Sequence, residues 1–85
     1  MTPVEVPRSF RKKLDKKTPE MRAAILACVR QLRIDWRYPG LRAKKLSGTD
    51  FYEARVSKGA RLTFIWDGPT IVLLNHCHHD ILKGI

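Results

Sequence analysis

The sequence predicts an α+β fold, in which a short N-terminal strand and two helices precede an antiparallel sheet of three to four strands and a short C-terminal tail. Three observations carry this. Apolar residues recur at helical spacing in the first half of the chain and alternate at period two in the second. Gly-containing turn signals at Ser57-Lys58-Gly59 and Asp67-Gly68 cut that second half into hairpins. Helices followed by strands, instead of alternating with them, place the helices together on one face of the sheet. At 85 residues the chain has room for one domain spanning residues 1–85.

Residues 4–6 fit a short edge strand, and Pro7 then offers a fixed φ suited to entering a helix. Phe10 and Leu14, four apart, share one face of that helix, with Arg8, Arg11, Lys12, Lys13 and Lys16 around them. Thr18-Pro19-Glu20 is a strong helix start: a hydroxyl to cap, a proline at the first helical position, and a carboxylate at the positive end of the dipole. Met21, Ile25, Cys28, Val29 and Leu32 follow at helical spacing, and the helix should stop before Pro39-Gly40. Residues 35–48 then read as a connecting segment.

Residues 51–56 and 60–66 alternate as strands, with Tyr52, Ala54 and Val56 on one face of the first and Leu62, Phe64 and Trp66 on one face of the second. A three-residue loop, Ser57-Lys58-Gly59, with Gly59 left-handed, would join them. That loop sets Arg55 opposite Arg61 and Glu53 opposite Thr63, so the charged side chains share the face away from the apolar ones. Like charges directly opposed destabilise a sheet, so the arginine pair suggests a phosphate between them. Residues 70–76 form the next strand. A two-residue loop puts Val72, Leu74 and His76 on the face of Arg61, whereas a three-residue loop through Pro69 turns each to the other side, and both remain open.

The formal charge of +9, from 17 Lys and Arg against 8 Asp and Glu, favours a polyanionic partner or an acidic protein. No apolar run approaches the roughly 20 residues that cross a bilayer, which argues against a membrane role. The opening Met1-Thr2-Pro3-Val4-Glu5 lacks the basic start and apolar stretch of a signal peptide, so a cytoplasmic location is expected. Two cysteines, Cys28 and Cys77, stand far apart and imply no disulfide framework; Cys28 reads as a small buried hydrophobe.

The stretches Lys44-Lys45-Leu46-Ser47-Gly48, Tyr52-Glu53-Ala54-Arg55-Val56, Gly59-Ala60-Arg61-Leu62-Thr63-Phe64 and His78-His79-Asp80, in this order and spacing, resemble the pattern of the RelE/ParE toxins. The resemblance extends over most of the chain. It implies a toxin paired with a cognate antitoxin. RelE-type members cut messenger RNA on the ribosome; ParE-type members inhibit DNA gyrase on the same fold without a catalytic set. Fold and activity are therefore separate questions.

Ribosome-dependent cleavage by a 2′-hydroxyl needs a base, a phosphate clamp and an acid, and no cofactor. Arg61 matches the family's strand arginine and would grip the phosphate with Arg55. Glu53 stands where several RelE-type enzymes carry Lys and would serve as general base, with a surface ion pair to Arg55 or Arg61 as the competing reading. His79 or His78, in the closing motif, would be the general acid. The family's frequent terminal Tyr is absent, with Lys83 near that place. Lys44 and Lys45 would touch backbone phosphate or form a solvated turn, and the basic first helix would meet ribosomal RNA or water. Trp36 and Tyr38 would stack on bases or cover the edge of the core. No metal site is expected from His76-Cys77-His78-His79-Asp80, because neighbours in an extended run point in opposite directions and no second ligand cluster follows.

Overall fold

The computed structural model describes residues 1–78, with side chains through Asn75. β1 (Val4–Glu5), α1 (Arg8–Asp15) and α2 (Pro19–Asp35) are followed by a 3-10 turn (Pro39–Leu41) and four further strands: β2 (Lys44–Lys45), β3 (Tyr52–Ser57), β4 (Ala60–Asp67) and β5 (Thr70–His78). The fold is α+β as the sequence implies. The sheet has five strands in the order β1-β5-β4-β3-β2, antiparallel throughout except for the parallel β1–β5 pair. The strand gained over the expected three to four is β2, inside the segment read as a plain connection.

Both helices begin as their residues dictate. Pro7 leads α1 in with an extended ψ of 155°, and its carbonyl accepts from Arg11 N–H at 3.0 Å. Thr18 caps α2, its Oγ1 accepting from Met21 N–H at 3.2 Å, and Pro19 needs no partner because it has no N–H. Between the helices, Arg22 Nη1 donates to Lys17 O at 3.0 Å and ties the end of α1 to the start of α2.

Phe10 and Leu14 of α1 and Ile25, Cys28, Val29 and Leu32 of α2 pack on Ala54, Leu62, Phe64, Ile71 and Leu73 of the sheet, with Leu41 of the 3-10 turn closing one end. Burying each large aliphatic or aromatic group contributes about 1.5–3 kcal/mol. Trp36, half-buried, meets Trp66 edge to face at 5.3 Å and covers the core's edge, while Tyr38 remains 49% exposed. Since all of this lies on one side, the opposite face of β3 and β4 is left without a helix.

Two irregularities set the registers. In the β3–β4 hairpin Ser57 pairs with Ala60, so the connection is the two residues Lys58-Gly59, and a bulge at Val56 returns the pairing to Arg55 opposite Arg61. The expected register holds, but by a different route: Gly59 does not take a positive φ, whereas Gly48 and Gly68 do. In the β4–β5 hairpin Asp67 pairs with Thr70 across Gly68-Pro69, which selects the two-residue loop. Gly68 has φ 59°, as the first central residue of a type II′ turn requires.

That loop puts Val72 opposite Ile65, as the two-residue reading implies, but β5 does not keep the phase. Phe64 pairs with Leu73 and Thr63 with Asn75, leaving Leu74 as an inserted residue. Beyond it His76 stands opposite Leu62, and the expectation that Leu74 and His76 continue the row of Arg61 is corrected. Cys77 is the residue paired with Arg61.

A basic face on the uncovered side of the sheet

Alternation along β3 and β4 separates the residues by chemistry. Ala54 and Leu62 go into the core at 0% exposure, so their neighbours Glu53, Arg55, Arg61 and Thr63 take the helix-free side. The register sets Arg55 directly across from Arg61, with their Cβ atoms about 4.5–5.5 Å apart as in any directly opposed pair. Both arginines are half-buried.

The Arg61 guanidinium is anchored. Nη1 donates to Ser57 O and to Ala60 O, each at 3.1 Å, so the carbonyls of the hairpin end hold one edge of the group. Among the described residues Nη2 and Nε have no partner, which leaves a forked donor edge for an incoming oxyanion. No described carboxylate pairs with Arg55 or Arg61.

Glu53 is not their counter-ion. It is 8% exposed, and its Oε1 lies 3.5 Å from Lys44 Nζ across the β2–β3 pair. The surface-pair reading for Glu53 therefore needs a different cation from the two considered, and Lys44 is engaged there instead of forming a solvated turn. An opposite-charge pair on adjacent strands was the signal available in the sequence, hidden because a two-residue strand shows no periodicity.

The remaining candidates divide. Lys45 is exposed and pairs with Tyr52. His78 closes β5, its backbone opposite Ala60, while His79 lies outside the described residues, as does the end of the His76–Asp80 run. Among the described residues no group of three or more His, Cys, Asp or Glu is placed to hold a metal ion. No described helix is long and apolar enough to cross a membrane.

Sequence reasoning also missed a notch where β4 outruns β3. Lys45, Asp50, Tyr52, Ile65 and Trp66 line it. Nothing local announces it, because its walls come from three separate segments.

No protein-family model matches the chain, and no curated protein sequence matches it. Solved structures do. The RelE of an archaeal RelE–RelB complex from Pyrococcus horikoshii OT3 superposes with a TM-score of 0.72 at 22% identity, covering 93% of this chain and 97% of that one. The toxin–antitoxin complex RelBE2 from Mycobacterium tuberculosis gives 0.60 at 25% identity, with 91% and 96% covered. A YoeB/ParE toxin from Agrobacterium tumefaciens gives 0.72 at 12% identity, with 91% and 98% covered.

Proposed function

We propose that this chain, which has the fold of the RelE/ParE toxins, is the toxin of a type II toxin–antitoxin pair and cuts messenger RNA on the ribosome. The observation that carries the reading is the opposed Arg55/Arg61 pair on the helix-free face, two cations held together with no described carboxylate between them. A sheet built only to fold would not oppose two like charges. A phosphodiester placed between them removes the repulsion and is gripped in turn.

In the cleavage step the ribose 2′-oxygen forms a bond to the adjacent phosphorus, and the bond from phosphorus to the 5′-oxygen of the next nucleotide breaks. The products are a 2′,3′-cyclic phosphate and a 5′-hydroxyl. Arg61, through the Nη2 and Nε that no other described residue engages, and Arg55 stabilise the charge that accumulates on the phosphoryl oxygens. Glu53 takes the 2′-hydroxyl proton, which requires the exposed Lys44 side chain to swing off the carboxylate. His79 or His78 returns a proton to the leaving 5′-oxygen. Lys44 and Lys45 add sequence-independent affinity for the strand. The protein would act in the cytoplasm with the ribosome, ribosomal RNA and message as partners. An antitoxin would hold it inactive, as RelB accompanies RelE in the archaeal complex.

The burial of Glu53 favours a second reading, in which the same basic face binds without cutting, as a gyrase inhibitor or an RNA- or protein-docking module. One experiment separates them: induce the protein in bacteria and follow protein synthesis, message ends by primer extension, and plasmid supercoiling together. Cuts inside translated codons that vanish in Arg61→Ala support cleavage. Loss of supercoiling with intact message supports gyrase inhibition, and neither effect leaves docking.

A further inference from the structure

β4 continues through Ile65, Trp66 and Asp67 after its last pair with β3, Phe64 with Tyr52. The step so formed holds the notch, a cavity of about 360 Å³ lined by the aromatic Tyr52 and Trp66, the aliphatic Ile65 and the charged Lys45 and Asp50. We propose that this notch is a base-binding pocket selective for guanine.

The size falls in the range of small-molecule sites. The aromatic part is rigid: Tyr52 stacks on Phe64 at 5.5 Å, and Trp66 is wedged edge-on against Tyr52, Phe64 and Trp36. Unstacked bases of single-stranded RNA dock on such rings and are told apart by hydrogen bonds to their edges. Asp50 supplies the discriminating group. Its loop closes on itself through Leu46 N–H to Phe51 O at 2.8 Å and Phe51 N–H to Thr49 Oγ1 at 3.1 Å, so the carboxylate is presented from a fixed turn. Among the described residues neither the Asp50 carboxylate nor the Lys45 ammonium has a hydrogen-bond or ion-pair partner.

A carboxylate and an ammonium lining the same notch fit one standard base best. Guanine sets two donors, N1–H and N2–H, side by side for a carboxylate and carries O6 and N7 as acceptors for a lysine. Adenine would turn its N1 acceptor towards Asp50. Cytosine offers one donor group next to an acceptor, and uracil one N–H between two carbonyls. On this assignment Lys45 contacts a base edge instead of backbone phosphate.

That the base belongs to an RNA strand rests on the function proposed above. Ile65 shares the helix-free face with Arg61, four residues along β4 and about 13 Å away, whereas Tyr52 and Trp66 are in phase with the buried Ala54, Leu62 and Phe64, so a strand gripped at Arg61 reaches the notch by passing over the end of the sheet with a nucleotide further along.

The test is a titration of the full chain with 5′-GMP, 5′-AMP, 5′-CMP and 5′-UMP, read at the Trp66 and Trp36 indole N–H signals by NMR. GMP should perturb Trp66 saturably and bind roughly tenfold or more tightly than the other three. Asp50→Asn should abolish the preference, and Lys45→Met should weaken GMP. Equal binding of all four nucleotides, or unchanged GMP affinity in Asp50→Asn, overturns the pocket. GMP selectivity in a protein that cuts no message would sink the cleavage reading alone, and cleavage without GMP selectivity would sink the pocket alone.

Discussion

Lys44 and Glu53 meet across the outermost strand pair, ammonium to carboxylate at 3.5 Å, with the lysine side chain 68% exposed and the glutamate side chain 11%. The exposed partner weakens the pair, because water and salt screen it. The covered partner makes its loss felt, because the carboxylate has little water to turn to. Lys44→Ala should therefore destabilise the protein by about 1 kcal/mol in urea unfolding at low salt, less at 1 M salt. Glu53→Gln alone completes the cycle: the double variant should lose less than the two single losses added together, and strictly additive losses would show that the pair carries no coupling.

Arg61 has a structural and a proposed chemical role, which separate by substitution. Arg61→Ala loses both bonds to the hairpin carbonyls, a cost of about 1 kcal/mol or somewhat more. Cleavage should fall about a hundredfold. Arg61→Lys keeps the charge and gives up the fork, so it should regain fold stability before activity. Equal activity of the lysine variant and the wild type would show that a point charge suffices.

Burial pushes the Cys28 thiol from an ordinary 9.0 up to about 12. At pH 8 a disulfide reagent should modify Cys28 only as fast as the chain opens, and at the free-thiol rate in urea. A thiol raised on folding contributes fully below its unfolded value. That contribution is lost as the solution climbs from pH 9 towards 12, because the unfolded chain releases the proton first. Cys28→Ala should flatten the stability profile in that window, though it also leaves a small cavity and lowers stability at pH 7.

Gly68 occupies φ 59° at the β4–β5 turn, and an added Cβ would meet no atom within 4 Å. Any cost of Gly68→Ala is thus a backbone cost, about 1–2 kcal/mol for a left-handed L-residue. Gly59 has equal space and no positive φ, so Gly59→Ala should be close to neutral by thermal unfolding.

What could be read in advance was local. Thr18 with Pro19 caps a helix in any context, and the alternation of residues 51–56 and 60–66 carries the Arg55/Arg61 register. Two Cα pairs are too few to print a period, so Lys44–Lys45 read as loop and the partner of Glu53 was misassigned. The apolar run from Ile71 to Leu74 looks alike in either phase, which hid the insertion at Leu74. The guanine notch depends on where β3 stops relative to β4, a relation between strands that neither strand records by itself.

The extra residue at Leu74 acts on the sheet as a frameshift acts on a message. Upstream of it the phase of β5 is dictated by what Ile71 and Leu73 must bury; downstream, an unbroken weave would have stood His76 beside Arg61, and one inserted position delivers Cys77 there. The hydrophobic half and the C-terminal half of the strand are in this way indexed independently.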